Sequence, residues 1–150
     1  MSTDRIEKKK LLRAPRARVW RALTDAREFG AWFGVKLEGE IAAGAHVRGK
    51  ITMKGYEDKA MELWVEKLEA ERCFSYRWHP FAIDPDVDYS REPTTLIELT
   101  LAEAEGGTLL TIVESGFDAL PPERRAKAFE SNSQGWAIQA DRVEKYLDAA

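Results

Sequence analysis

Few residues of the types that carry out nucleophilic or metal chemistry are present in this chain. It contains one cysteine, Cys73, and two histidines, His46 and His79. A catalytic triad needs a nucleophile beside a histidine and an orienting carboxylate, and neither histidine lies in a recognisable nucleophile motif. Zinc sites need clustered Cys and His ligands, which this spacing does not supply. The sequence therefore predicts no catalytic triad and no metal site.

An acidic segment resembles a calcium loop only in its first half. Asp84, Asp86 and Asp88 alternate as the first ligands of such a loop do. The sixth position is tyrosine instead of glycine and the twelfth is threonine instead of glutamate, so we interpret the segment as a solvated acidic loop. It lies within residues 79–93, a connection that is long for a compact domain and is a candidate lid over a binding site.

Aromatic residues are the strongest functional signal, since 5 Trp, 6 Phe and 4 Tyr exceed what a minimal core of this length needs. If the aromatic residues near the ends of predicted elements converge, they would line an apolar cavity, and a filled core is the equal alternative. Gly135 favours the cavity, because glycine inside a helix lowers stability and leaves room beside its neighbour. The candidate walls are Trp32, Phe33, Tyr76, Trp78, Phe117 and Trp136.

Four further residues would complete such a site. Met53 and Met61 are adaptable apolar fillers, and Glu114 and Asn132 are polar groups that would orient a ligand. Glu114 follows two apolar residues in the same strand phase, which points it toward the interior, where a carboxylate needs partners. The alternative places it at a partly hydrated strand end.

The elements that must position these residues follow from hydrophobic periodicity. Residues 5–12 fit a short strand, Pro15 opens a short helix, and Asp25 caps a second short helix. The glycine-containing residues 34–44 are predicted to form a loop. Period-two alternation then predicts strands near residues 45–53, 61–66, 73–78, 95–101 and 108–114.

A long amphipathic helix is predicted to follow the strands. It opens at Pro121 and Pro122, covers about 27 residues, and carries one apolar stripe at spacings of three and four. The stripe consists of Ala126, Phe129, Ser133, Trp136, Ala140, Val143 and Leu147. Together the elements predict an α+β fold in which consecutive strands form an antiparallel meander and the long helix lies along it.

Length and composition limit the function classes. The chain has 150 residues and a net charge of −3, which predicts one domain over residues 1–150 and no general affinity for nucleic acid. No stretch is long and apolar enough to cross a membrane. The lone cysteine and the polar start predict a cytoplasmic protein. A monomer and a homodimer are both compatible with the sequence.

Five motifs in order resemble the homologues of the activator of Hsp90 ATPase, a branch of the SRPBCC or START-like superfamily with many bacterial members. They are Ala14-Pro15-x-x-x-Val19-Trp20-x-Ala22-Leu23-Thr24-Asp25, Trp32-Phe33-Gly34, Tyr76-x-Trp78, Gly106-Gly107-Thr108 through Glu114-Ser115-Gly116-Phe117, and Gly135-Trp136. The resemblance covers nearly the whole chain. It implies a helix-grip fold, in which a curved antiparallel sheet wraps a long C-terminal helix and encloses a hydrophobic pocket, with two short helices after the first strand.

The resemblance leaves three functional hypotheses. Superfamily members bind lipids, hormones or polyketides, which favours a binding protein for a small apolar, aromatic or acyl ligand. Some catalyse cyclisation or hydrolysis, and Glu114 or His79 would then be the general acid or base. The third hypothesis is a chaperone cofactor. No flavin, iron–sulfur or haem ligation pattern is present, so no cofactor is expected.

Overall fold

Antiparallel strands and three helices make up the computed structural model, which describes residues 4–81 and 86–149. The strands are β1 (Arg5–Leu12), β2 (Val35–Glu38), β3 (His46–Ile51), β4 (Ala60–Glu69), β5 (Cys73–Trp78), β6 (Thr95–Ala104) and β7 (Gly107–Ser115). The helices are α1 (Arg16–Thr24), α2 (Ala26–Phe33) and α3 (Pro122–Ala149), with short 3-10 turns at Tyr89–Arg91 and Phe117–Ala119. In the described residues the strands form one sheet in the order β1-β7-β6-β5-β4-β3-β2.

The sheet confirms the predicted antiparallel meander, with two corrections. The strand expected over residues 45–53 ends at Ile51, so Met53 lies beyond it. The segment predicted to be a loop contains β2, which among the described strands pairs with β3 alone. Its residues alternate, with Val35 and Leu37 turned inward and Lys36 and Glu38 exposed, but the run has only four residues between Gly34 and Gly39. A Cβ at Gly49 would lie 2.6 Å from the carbonyl oxygen of Lys36, so glycine at this position lets β3 approach β2.

The register settles which face of the sheet carries the aromatic residues. Val65 pairs with Tyr76 and both are buried, whereas Trp64 pairs with Arg77 on the opposite face. Trp64 stacks there on the ring of His46, with 4.7 Å between ring centroids. Because cross-strand partners share a face, the even-numbered residues of β5 point inward.

The two short helices after β1 begin and end as their sequences predict. Asp25 caps α2, since its side chain accepts a hydrogen bond from the backbone N–H of Glu28 at 2.9 Å. Gly34 ends α2 with φ +94°, a left-handed conformation that favours glycine. Pro15 is the residue directly before α1 and not its first helical residue, and its fixed φ of −62° leads the chain into the helix.

One buried carboxylate joins the three helices. Glu28 lies 2.7 Å from the guanidinium of Arg18 and 2.9 Å from that of Arg21, and it accepts a hydrogen bond from the Tyr146 hydroxyl at 2.8 Å. Burial alone would raise the pKa of the Glu28 carboxyl, but the hydrogen bonds from Tyr146 and Arg18 outweigh it and hold the pKa below its ordinary value. The helices are therefore held by charge as well as by packing.

The long helix matches the predicted start, and its 28 residues extend over about 42 Å. Its buried face confirms the second half of the predicted stripe, from Trp136 to Leu147. In the first half Ala128 is buried and Ala126 is exposed, and Phe129 packs on Phe117 of the 3-10 turn, with 5.3 Å between ring centroids. The curved sheet with this helix laid along it is the helix-grip fold.

The connection from β5 to β6 covers residues 79–94, one residue more than the predicted 79–93, and 82–85, including Asp84, lie outside the described residues. The described flanks are held by Arg124 at the start of α3. Its guanidinium lies 2.7 Å from Glu92 Oε1, donates to the carbonyl oxygens of Phe81 and Pro80 at 3.0 and 3.1 Å, and covers the ring of Tyr89. This arginine therefore anchors the segment proposed from sequence as a lid.

Neither a membrane-spanning helix nor a metal-binding group is present in 4–81 and 86–149. No helix there is long and apolar enough to cross a bilayer. No three His, Cys, Asp or Glu side chains of these residues gather closely enough to hold a metal ion.

Candidate functional site

Glu114 is a carboxylate buried on the inner face of the sheet, near the end of β7. It is the last inward-pointing residue of β7, and its backbone lies between Ile6 of β1 and Ile97 of β6. Its exposed fraction is 0%. The inward phase expected from sequence is therefore what the structure shows, and a carboxylate in this position requires partners.

The Glu114 carboxylate has four donor partners. Its Oε2 accepts hydrogen bonds from Trp78 Nε1 at 2.8 Å and from Thr95 Oγ1 at 2.6 Å. Its Oε1 accepts from Trp136 Nε1 at 2.7 Å. Asn132 Nδ2 donates to both oxygens, at 3.0 and 3.1 Å. Indole and amide N–H groups only donate, so the arrangement satisfies the ionised, acceptor-only form of the carboxylate.

The charge of Glu114 acts on a neighbouring phenol. Tyr76 is fully buried on β5, and its hydroxyl has no hydrogen-bond partner among the described residues. Burial, and then the negative charge of Glu114, hold the pKa of Tyr76 well above its ordinary value of 10.0. Tyr76 is therefore a neutral phenol at physiological pH.

Three aromatic rings stand around this carboxylate in fixed orientations. Trp78 from β5 and Trp136 from α3 stack at 5.6 Å between centroids with an angle of 27° between their planes. Phe33, the last residue of α2, contacts both indoles edge-on at 6.0 and 6.1 Å. Because each indole N–H is bound to Glu114, the carboxylate sets the orientation of both tryptophan rings.

A cavity of about 140 Å³ lies between these rings and α3. Gly135 leaves it open, because a Cβ at that position would have no neighbour within 4 Å other than the two adjoining residues and the backbone of its own helix. Pockets for drug-sized ligands measure about 300–1,000 Å³, so this cavity takes a molecule of roughly one ring. Its walls are Phe33, Trp78, Asn132, Gly135, Trp136 and Gln139.

Gln139 completes the wall with an amide whose orientation is fixed. Its Nε2 donates to the carbonyl oxygen of Phe33 at 2.9 Å. Its Oε1 is buried and has no hydrogen-bond partner among the described residues. A flipped amide would set oxygen against oxygen, so the hydrogen bond to Phe33 decides which atom is the oxygen.

The comparisons with known proteins identify the family. A family model described as "Activator of Hsp90 ATPase homolog 1-like protein" matches residues 13–148, which include every wall of the cavity. The chain belongs to this family. No curated protein matches the sequence.

Solved structures share the fold of this family member at low identity. Protein MLL2253 of Mesorhizobium loti is 23% identical with a TM-score of 0.77, over 97% of this chain and 98% of that one. Protein NE0264 of Nitrosomonas europaea is 17% identical with a TM-score of 0.75, over 98% and 96%. DynU16, from the dynemicin biosynthetic locus, is 24% identical with a TM-score of 0.73, over 97% of this chain and 47% of that one. At these identities the likeness establishes the fold alone.

The structure brings together part of the set predicted from sequence. The cavity wall contains four of the predicted residues, Phe33, Trp78, Asn132 and Trp136. Glu114 accepts hydrogen bonds from the last three. Tyr76 lies beside Trp78, with 5.6 Å between ring centroids, but is not a wall residue.

Four other predicted residues lie away from the cavity. Trp32 packs in the core between the helices, and its Nε1 donates to the carbonyl oxygen of Ala22 at 2.8 Å. Met61 is buried on β4, and Phe117 packs on Phe129 at 5.3 Å. Met53 covers Gly34, where an added Cβ would lie 2.5 Å from its Cγ. His79, the alternative acid or base, sits edge-on to Trp64 and outside the cavity wall.

Two residues of the site escaped the sequence analysis. Gln139 lies three residues after Trp136 and seven after Asn132, so helical spacing would have placed it on the same face. Thr95 shares its strand phase with the buried Ile97, which marks it as inward-pointing. Neither residue is aromatic or charged, and those are the residue types that mark a buried site in this sequence.

Proposed function

We propose that this protein binds a small apolar ligand, of about one aromatic ring, in the cavity between Trp78, Trp136 and Gly135. The observation that carries the proposal is the open space at Gly135, in a helix where alanine would be more stable. Glycine beside two ordered indoles leaves a volume that a larger side chain would fill. Phe33 would contact the ligand on one side, and the indole rings of Trp78 and Trp136 would contact it on the other.

The volume defines the ligand class more narrowly than the sequence did. An apolar cavity of about 150 Å³ is large enough for benzene or xenon. A ligand with a single aromatic ring or a short acyl group therefore fits the 140 Å³ available, and a long acyl chain does not. The lone, buried Cys73 supports a reducing, cytoplasmic setting for this binding.

Glu114 has an orienting role in this proposal. Its oxygens are occupied by four donors, so no lone pair is left to take a proton from a substrate. Loss of Glu114 would disorder the walls instead of removing a reactive group.

Filling the cavity tests the proposal. Toluene binding is measured by NMR titration on the wild type and on Gly135→Leu, whose side chain would occupy the space beside Trp136. We expect chemical shift changes at Trp78 and Trp136 in the wild type, and at least tenfold weaker binding in the variant. Ile138→Ala is the matched control, since Ile138 is 56% exposed on the same helix. Equal binding to both variants, or no binding to the wild type, would refute the proposal.

The other two hypotheses stay predictions with their own tests. A pocket enzyme would show a pH-dependent rate in the wild type and lose turnover in His79→Gln, or in Glu114→Gln under conditions where circular dichroism shows that the variant is still folded. A chaperone cofactor would raise the ATPase rate of an Hsp90-type chaperone without needing the cavity. If Gly135→Leu abolished such a stimulation while the protein stayed folded, cavity and chaperone activity would be linked.

A further inference from the structure

Two side chains of α3 hold the last turn of α2. The carbonyl oxygens at the end of a helix have no partner within the helix. The carbonyl oxygen of Trp32 accepts a hydrogen bond from Arg142 Nε at 2.6 Å. That of Phe33 accepts one from Gln139 Nε2 at 2.9 Å. Arg142 also places positive charge where the backbone dipoles of α2 leave negative charge, so it holds the helix end by charge as well.

These two contacts belong to a row along one side of α3. The third member is Tyr146, whose hydroxyl donates to Glu28 in the first turn of α2 at 2.8 Å. Gln139, Arg142 and Tyr146 are spaced by three and four residues, which places their side chains on one side of the helix. Helix α2 is therefore bonded to α3 from its first turn to its last residue, Phe33.

Phe33 is also the residue through which α2 forms the cavity wall. Its ring meets Trp78 and Trp136 edge-on, at 6.0 and 6.1 Å between centroids. A helix of eight residues has little stability of its own, so the position of its last turn depends on contacts outside the helix. Without the bond from Arg142, this turn could move outward with the Phe33 ring and widen the cavity toward α2.

Arg142 lies at the helix end and outside the cavity wall. Its guanidinium reaches the end of α2 because the next residue there is Gly34, where a Cβ would lie 3.3 Å from Arg142 Nη2. Arg142 has no carboxylate partner among the described residues, and its one side-chain hydrogen bond there is the bond to Trp32. The contacts of this arginine thus serve the end of α2.

We propose that Arg142 sets the size limit of the ligand by holding Phe33 against the cavity, an inference that rests on the proposed function. Arg142 is a positioning residue, since it acts through the end of α2 and does not line the cavity. The wild type then accepts one aromatic ring, and a variant that releases the end of α2 accepts two.

Toluene and naphthalene, which differ by one ring, test the size limit by NMR titration of the full chain. We expect the wild type to bind toluene about tenfold more tightly, because a second ring must displace packed side chains. Arg142→Met removes the donor and the charge at similar side-chain length, and it should abolish this preference. Arg142→Lys keeps a charge and a donor, and it should restore most of the preference.

Lys145→Met is the matched control. Lys145 is an exposed cation three residues after Arg142 on the same helix, and it makes no hydrogen bond to α2 among the described residues. The same substitution there should leave the preference for toluene unchanged. Circular dichroism verifies the fold of each variant.

A measurement on the wild type tests the contact itself, even if Arg142→Met does not fold. The Nε–H of Arg142 should exchange with solvent at least about tenfold more slowly than that of Arg27, an exposed arginine on α2. Equal exchange rates would overturn the inference.

The outcomes separate this inference from the function on which it rests. A preference for toluene that is unchanged in folded Arg142→Met would overturn the inference even if Tm falls, because Arg142 would then only stabilise α2. Equal binding of toluene and naphthalene to the wild type, or an equal loss of preference in Lys145→Met, would also overturn it. Each of these results leaves toluene binding to the wild type, and with it the proposed function, intact. If neither compound binds the wild type, the proposed function fails and the inference fails with it.

Discussion

Replacing Glu114 by glutamine should destabilise the fold substantially, although the side chain hardly changes in size. The amide has one acceptor atom where the carboxylate has two. The NH2 group must take the position of Oε2. The Thr95 hydroxyl, which donates to Oε2 in the wild type, is the one partner that can rotate and accept a hydrogen bond from the NH2 group. Trp78 Nε1–H then faces a donor, the second contact of Asn132 is lost, and the remaining bonds lose their charge assistance.

The magnitude follows from these lost contacts. A hydrogen bond to a charged group contributes about 1.5–3 kcal/mol, and the bond from Trp78 and one of the two Asn132 contacts are lost while others weaken. We therefore expect the free energy of unfolding to fall by about 3 kcal/mol, which lowers Tm by roughly 6–12 °C for a domain of this size.

The assay is thermal and urea unfolding at pH 7, followed by far-ultraviolet circular dichroism and tryptophan fluorescence. Glu103→Gln is the matched control, because Glu103 is an exposed carboxylate on the neighbouring strand β6. It should unfold like the wild type. A Tm for Glu114→Gln within 2 °C of the wild type would refute the assignment of Glu114 as the group that holds the two indoles.

Three further predictions concern other parts of the fold. Because the partners of Glu28 hold its folded-state pKa below 4.5, its stabilisation is complete above pH 4.5 and is lost as the pH falls through the folded-state value. Urea unfolding from pH 6 to 3 should therefore show a smaller acid loss in Glu28→Gln than in the wild type, and parallel curves would contradict this. Gly30→Ala should lower Tm, because its Cβ would overlap a strand carbonyl oxygen, whereas Gly135→Ala, with open space around it, should gain up to about 1 kcal/mol. The opposite order of Tm values would show that the space around these glycines is misjudged. Arg124→Ala should speed proteolysis within residues 79–93 while leaving Tm nearly unchanged, and an unchanged cleavage rate would rule out the anchoring role.

The elements could be predicted from sequence wherever one face of them is buried. The period-two alternation of β6 and β7 and the stripe from Trp136 to Leu147 each record a solvent side and a core side. Strand β2 carries the same alternation, with Val35 and Leu37 turned inward, but over only four residues between Gly34 and Gly39. A run this short between glycines is also typical of a loop, and the pairing with β3 decides between the two.

The residue types of the site could be predicted from sequence, but the hydrogen bonds between them could not. The inward orientation of Glu114 follows from the alternation of residues along β7. The place of Trp136 in the cavity wall follows from the helical spacing of α3. That Trp78, Asn132 and Trp136 all donate to one carboxylate depends on how three elements meet, and no spacing within an element encodes it. Gln139 is a similar case, since its free oxygen is defined only by the carbonyl of Phe33 on another helix.

The order of the strands also bears on how the chain folds during synthesis. Strand β1 is made first, yet its sheet partner is β7, with Arg5 opposite Ser115 and Leu12 opposite Thr108. At about 5–20 residues per second, β1 waits on the order of 5–20 s for that partner to emerge from the ribosome. During this time its backbone edge is open to other chains. The run Lys8-Lys9-Lys10 in the middle of β1 places positive charge on that edge, which would keep nascent chains apart until β7 arrives.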